Sequence, residues 1–203
     1  IISICILAVG TYMLVLRKDA KTDNSSTTAN NNTQPTSTNP TDTSITFNRS
    51  LYDIKDHTSV WFVANKHYSM PTTYVPSDLV VLDVPLRLSA SDQQMKIRKI
   101  ASSDLQNLFT SAKTAGLQLE FGSGYRSASY QKVLYDGYVS SMGRAEADRS
   151  SARPGHSEHQ TGLAVDLGPT DRTCEIELCF ANTAEGKWLQ INAYKYGFII
   201  RYQ

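Results

Sequence analysis

Residues 21 to 46, KTDNSSTTANNNTQPTSTNPTDTSIT, are nearly all Thr, Ser, Asn and Pro. Such a stretch has too little apolar surface to offset the entropy lost on ordering, so 17–46 is expected to be a disordered linker. Whatever folds must then be built from about residue 47 onward, and a chain of 203 residues leaves room there for one domain. Ahead of the linker, residues 1–16, IISICILAVGTYMLVL, are apolar apart from small or mildly polar residues, and Arg17-Lys18 follows. This is slightly short of the roughly 20 residues of a full span. It is expected to be a transmembrane or signal-anchor segment, incomplete at its N-terminus because the sequence begins without Met; a cleaved signal peptide is the next reading. A lipoprotein signal at Cys5 fits less well, since Ile4 stands where a small residue is wanted. Anchor, polar spacer and domain are the layout of an exported protein held at a membrane.

Charge excludes some partners. Twenty basic and 19 acidic side chains give a net charge of +1, so no polyanion partner is implied and nucleic-acid binding is not expected. Cys174 and Cys179 have no CxxC spacing, which fits neither thioredoxin chemistry nor a zinc knuckle. An exported protein is expected to close them as a disulfide; two free buried thiols are the alternative.

From residue 47 the pattern is α+β. SASDQQMKIRKIASSDLQNLFTSAKTAG carries Ile97, Ala101, Leu105, Leu108 and Ala112 at helical spacing, with Ser or Asp to cap its start and Gly116 to end it. LQLEFGSG alternates Leu117, Leu119 and Phe121 as a strand. SASYQKVLYDGYVSSMG reads as a helix, GRAEADRSSA as a weaker one, and GLAVDLG as a second strand. NTAEGKWLQINAYKYG is expected to be a helix with Trp188, Ile191 and Tyr194 toward a core, stopped by Gly197, and FIIRYQ opens a strand. Periodicity does not settle how these strands pair.

The densest chemistry lies in GHSEHQTGLAVDLG, residues 155–168. Along a strand Leu163 and Val165 point one way and Ala164 and Asp166 the other. The first pair suits a core, and the second lines a cleft where small Ala164 leaves room beside the carboxylate. His159 precedes the strand, and Gly162 lets the backbone turn back. An imidazole and a carboxylate suit zinc, but a catalytic zinc usually takes three protein ligands. On these residues alone, a loop leading into an ordinary strand and half of a metal site are equally open.

Ser157-x-His159-x-x-Gly162-x-Ala164-x-Asp166 resembles the signature of the VanY-type D-alanyl-D-alanine carboxypeptidases, zinc peptidases related to lysostaphin-like and hedgehog domains. ANKHYSMPTTYVPSDLV (64–80), SGYRSASYQ (123–131), PGHSEHQTGLAVD (154–166) and GKWLQINAYKYGFIIRY (186–202) resemble successive blocks of that family in the same order. The resemblance implies a small antiparallel sheet carrying a zinc cleft, flanked by helices, over 47–203. It implies Zn2+ held by His159 and Asp166, and Arg126 as a catalytic residue that stabilises the oxyanion. Ser123, Gln131 and Ser157 match positions that help hold the peptide terminus. The implied reaction is removal of a terminal D-alanine from peptidoglycan stem peptides, of D,D- or L,D-type, by zinc-activated water. The implied setting is the cell-wall side of a bacterial membrane, with the protein a monomer.

One part of the family pattern is missing. A Glu-x-x-His type segment supplies the family's general base and third ligand after the strand that GFIIRYQ resembles, and the sequence stops at Gln203. A longer reading frame carrying that Glu and His is expected; a genuinely truncated product that binds zinc poorly and lacks hydrolytic activity is the alternative. His57, His67 and His156 match no family ligand and read as surface or structural residues, and Glu158 is expected to point away from the site. The rival of another class is a wall-binding or zinc-binding module of the same fold without activity. Serine-peptidase chemistry is a poorer fit: Ser129-Tyr130-Gln131-Lys132 matches S-x-x-K, but no S-D-N follows and Lys113-Thr114-Ala115 is not K-T-G.

Overall fold

The computed structural model describes residues 3–6, 48–175 and 177–201. The chain divides into two units; the larger holds residues 52–201 together with the strand at the N-terminus. Of the smaller, only 48–51 is described, and Arg49–Leu51 form a single 3-10 turn there.

An α+β architecture is observed. β1 (Ser3–Ile6), β4 (Leu119–Ser123), β5 (Ala164–Pro169) and β6 (Phe198–Ile200) form one sheet in the order β4-β5-β1-β6, every pair antiparallel. β2 (Leu79–Val81) and β3 (Lys96–Arg98) make a separate antiparallel pair. The helices are α1 (Lys99–Thr114), α2 (Ala128–Met142), α3 (Arg144–Ser150) and α4 (Ala184–Asn192).

β1 falls inside the stretch expected to be an anchor; residues 1–2 and 7–16 of that stretch, and the linker, lie outside the described residues. Among the described residues no helix is long and apolar enough to cross a membrane.

The core explains where the expected elements shift. Ala101, Leu105, Leu108, Phe109 and Ala112 form the buried stripe of α1. They share one apolar cluster with Ile97, Leu119, Phe121, Leu163, Val165, Leu167, Leu189 and Phe198. A buried side chain of this size contributes about 1.5–3 kcal/mol, so the stripe is what holds α1 to the sheet. Ile97 belongs to β3 and not to the helix: it pairs with Val80, and the helix begins only after Arg98, whose side chain makes no cap. Asp92 caps instead the short 3-10 turn Gln93–Met95, accepting from the Gln94 backbone N–H at 2.8 Å.

The face of α4 also differs from expectation. Gly186, Leu189 and, beyond the helix, Ala193 are buried, whereas Ile191 is 64 % and Tyr194 67 % exposed. Only Trp188 of the expected trio packs against the core, stacked 6.4 Å from Tyr196. The close approach of α4 to Phe180 selects this face: a Cβ on Gly186 would stand 2.0 Å from the Phe180 carbonyl oxygen.

Candidate functional site

β5 carries two kinds of side chain. Val165 and Leu167, with Leu163 just before the strand, enter the core cluster, while Asp166 lines a cleft of about 1050 Å³. Ala164, outside that cluster, is fully buried, so both faces of the strand are covered and the expected contrast in exposure is absent. Between Phe121 and Ser123 the register of β4 against β5 shifts, which sets Ser123 opposite Asp166. A bulge re-aims a side chain in this way, and the Ser123 hydroxyl donates to Asp166 Oδ2 at 2.6 Å.

His159 sits in the 3-10 turn Glu158–Thr161, which ends at Gly162 with φ +69°, a left-handed conformation that favours glycine. Its Nδ1 lies 2.6 Å from the Gly124 carbonyl oxygen. A carbonyl only accepts, so Nδ1 carries the proton and Nε2 is turned to the cleft. Gly124 has no room for a side chain, since a Cβ there would meet the Lys96 carbonyl oxygen at 2.3 Å. The glycine thus lets the chain approach closely enough to orient the imidazole.

His159 Nε2 stands 3.4 Å from Asp166 Oδ2. An imidazole lone pair and a carboxylate oxygen at that distance repel unless a proton or a metal cation lies between them. Two donors each about 2.0–2.1 Å from a tetrahedral zinc lie ~3.4 Å apart, so the pair fits one edge of such a site. Asp166 Oδ1 is buried and accepts no hydrogen bond, a second sign of an acceptor set awaiting a cation. Among the described residues, no group of three or more His, Cys, Asp or Glu side chains gathers to hold a metal.

Arg126 reaches Asp166 Oδ2 with Nη2 at 3.6 Å, and its backbone N–H donates to the His159 carbonyl at 3.2 Å. Burial pushes the Asp166 carboxyl up, but His159, Arg126 and Ser123 together outweigh that and hold it down at about 2. Burial lowers the affinity of Arg126 for its proton and Asp166 raises it again. Nε of Arg126 is buried without a partner. The guanidinium is therefore a cation at the cleft floor with donors to spare.

Gln131 and Ser157 are buried in the wall of the same cleft. Gln131 donates through Nε2 to Ser151 Oγ at 3.1 Å and to the Ala152 carbonyl at 2.8 Å, leaving Oε1 without a donor. It therefore offers a ligand an acceptor and no free N–H. All six residues singled out in the sequence line one cavity, and three of them, His159, Arg126 and Ser123, converge on a fourth, Asp166.

Two residues set aside in the sequence also belong to the cleft. Glu158 lines it rather than pointing away, and pairs with Arg201 at 3.1 Å. That partner is far along the chain, so no local pattern signals it. His156 lines it too, its Nδ1 2.8 Å from the Asn65 carbonyl oxygen, which ties the loop to an earlier segment. Gln160 adds to that tie, donating to the Pro71 and Tyr74 carbonyls at 2.9 and 3.2 Å. His57, by contrast, stacks edge-on against Tyr74, and His67 is exposed. Neither Ser129 nor Lys132, which pairs with Asp136 on the exposed face of α2, lines the cleft, so the S-x-x-K match carries no nucleophile into it.

α3 is fastened beside this cleft by Asp148. Its carboxylate accepts from Arg153 at 2.8 and 2.7 Å and from the Tyr135 hydroxyl at 2.6 Å. The Arg153 and Tyr135 hydrogen bonds hold its carboxyl well below the usual range. A depressed folded-state value stabilises the fold above the unfolded value of about 3.9 and loses that contribution as pH falls through the folded one. In urea titrations the gap in stability between the wild type and Asp148→Asn is expected to be constant above about pH 5 and to narrow below ~3.9. A gap that stays constant down to pH 2 is the contrary outcome.

Residues 94–203 match a family model described as VanY, D-alanyl-D-alanine carboxypeptidase. The chain is 45 % identical over 152 residues to the putative carboxypeptidase YodJ of Bacillus subtilis (strain 168), covering 75 % of this chain and 56 % of that protein. It spans about half the length of the curated relatives it matches. Among solved structures, the LdcB LD-carboxypeptidase is 46 % identical with a TM-score of 0.68, over 72 % of this chain and 69 % of that one. A variant of the vancomycin-resistance D,D-pentapeptidase VanY in complex with Zn(II) is 30 % identical with a TM-score of 0.51, over 68 % and 74 %.

Proposed function

Since the chain belongs to the VanY family of D-alanyl-D-alanine carboxypeptidases, we propose that it is a zinc-dependent hydrolase that removes the terminal D-alanine from peptidoglycan stem peptides. The observation that carries this is the 3.4 Å approach of His159 Nε2 to Asp166 Oδ2 beside the Arg126 cation. His159 and Asp166 would hold zinc, which when bound lowers the pKa of a coordinated water and polarises a carbonyl. The Gly124 carbonyl fixes the ring of His159, and Ser123 fixes the carboxylate of Asp166. Arg126 donates to the oxyanion that develops as the scissile carbonyl becomes tetrahedral. Gln131 accepts an N–H of the peptide, and Ser157 helps to seat its terminus.

The catalytic unit is assigned to 47–203 together with the strand Ser3–Ile6 that pairs with β5 and β6, with 17–46 as linker, on the cell-wall side of a bacterial membrane. It works as a monomer on stem peptides and not on nucleic acid. Of the two solved relatives described above, the more identical carries an L,D name, which supports a tetrapeptide ending in D-alanine as first substrate.

A second reading is a wall-binding module of the same fold without hydrolysis. It takes its support from the two donors, not three, that gather among the described residues. Incubation with zinc and either a tetrapeptide ending in L-Lys-D-Ala or a pentapeptide ending in D-Ala-D-Ala separates the two. Release of free D-alanine, read by chromatography, is expected. Zinc-loaded protein that binds these peptides and releases none would establish the second reading.

A further inference from the structure

His159 sits on a turn with little stability of its own. Glu158–Thr161 is a single 3-10 element of four residues, and its N-cap, Ser157, makes no side-chain cap. Turns this short have poor hydrogen-bond geometry and depend on contacts outside themselves. The two residues that flank His159 supply such contacts. On one side Gln160 is fully buried and donates to the Pro71 and Tyr74 carbonyls. On the other, Glu158 meets Arg201, whose Nε lies 3.1 Å from Oε1 and 3.3 Å from Oε2. Arg201 directly follows β6, and Phe198 of that strand is fully buried in the core cluster. The guanidinium therefore stands at the end of a fixed strand, and the turn is tied to it.

Exposed ion pairs are worth little, because water screens them and both side chains lose freedom. This pair is of another kind, since the Glu158 side chain is only 14 % exposed, against 40 % for Arg201. A carboxylate withdrawn that far from water needs a counter-charge. Arg87, Arg149 and Arg153 of the same cleft are each paired with a different carboxylate, and Arg126 faces Asp166. Without Arg201 the Glu158 carboxylate has to turn out to water, and the backbone that carries His159 moves with it. The imidazole then leaves its place. Its Nε2 stands 3.4 Å from Asp166 Oδ2, a spacing that suits two zinc donors only while both are held.

We propose that Glu158 and Arg201 are positioning residues for the metal site. Their ion pair fixes the backbone beside His159, so that zinc affinity depends on the docking of β6. This rests on the zinc-carboxypeptidase reading and adds to it two residues that act through His159.

The test is the zinc affinity of the full-length protein, read in competition with a chromophoric chelator, so that no turnover is needed. Glu158→Gln and Arg201→Gln are each expected to weaken zinc binding by about tenfold or more, the scale found for groups that orient a metal ligand. The double variant should lose no more than the weaker-binding single variant, because each substitution removes the same contact. Both side chains reach the surface of the cleft, so neither replacement opens the core. Thermal melts in a chelator supply the control. A merely structural pair lowers the metal-free midpoint and leaves the zinc affinity of the folded protein unchanged. Zinc affinity within about threefold of the wild type in either single variant overturns the proposal, and so do losses that multiply in the double variant. If the wild type itself binds no zinc, the zinc reading falls and this inference falls with it.

Discussion

Replacing Asp166 with alanine is expected to lower the affinity for zinc by at least about 100-fold. Changes to groups that merely orient a metal ligand cost 10–100-fold, and a ligand itself should cost no less. The measurement needs no turnover. A metal that binds the native state alone raises the thermal midpoint, so zinc should raise it in the wild type and leave Asp166→Ala unmoved. A confound must be met, because Asp166 also faces the buried Arg126 cation. Asp166→Ala removes that counter-charge and is expected to lower stability without zinc as well, since an uncompensated buried charge is costly. Asp166→Asn keeps the shape and an oxygen for the Ser123 hydroxyl, while losing the charge that a cation needs. Both variants should lose the zinc-induced shift. A full shift in Asp166→Asn would mean that the carboxylate is no ligand, and the metal assignment would fail.

The parts of this site that were legible in the sequence are those set by neighbours in the chain. Alternation along Leu163–Asp166 set Leu163 and Val165 in the core and Asp166 in the cleft, because side chains of a strand must alternate, but Ala164, expected beside Asp166 in the cleft, is fully buried. Gly162 marked the turn before it, since φ +69° favours glycine. The disulfide between Cys174 and Cys179 could be expected only through the reading of the N-terminal stretch as an export signal, since oxidising compartments let such bonds persist. What escaped depends on partners far along the chain. The 43-residue separation of Glu158 from Arg201 leaves no periodic trace, so the direction of Glu158 could not be foreseen. Ile97 fits the spacing of α1, yet pairing with Val80 claims it for β3, and a single apolar residue satisfies either role. Ile191 and Tyr194 failed for a different reason. α4 is too short for periodicity to choose a face, and contact of Gly186 with Phe180 chooses it instead. The bulge that turns Ser123 onto Asp166 is likewise a property of two strands together.

Arg126→Ala is expected to reduce kcat by about 10²–10³ with little change in KM, the loss found when one preorganised oxyanion donor is removed. Arg126 has 18 % of its side-chain surface exposed, its Nε has no partner, and its link to Asp166 is a long 3.6 Å contact. A cation held this way is not spent on the fold. Its free donors gain most when negative charge appears beside them, which is why the effect falls on kcat and not on ground-state binding. Arg126→Lys is expected to recover little, since an ammonium is a point charge without the planar fork that offers several N–H groups at once. The control is zinc affinity. Arg126 touches Asp166, so a merely structural role would weaken metal binding and kcat together. Loss of kcat with zinc affinity kept within about threefold supports the oxyanion role. If kcat falls less than about tenfold, or falls only in proportion to bound zinc, Arg126 is a positioning residue for Asp166.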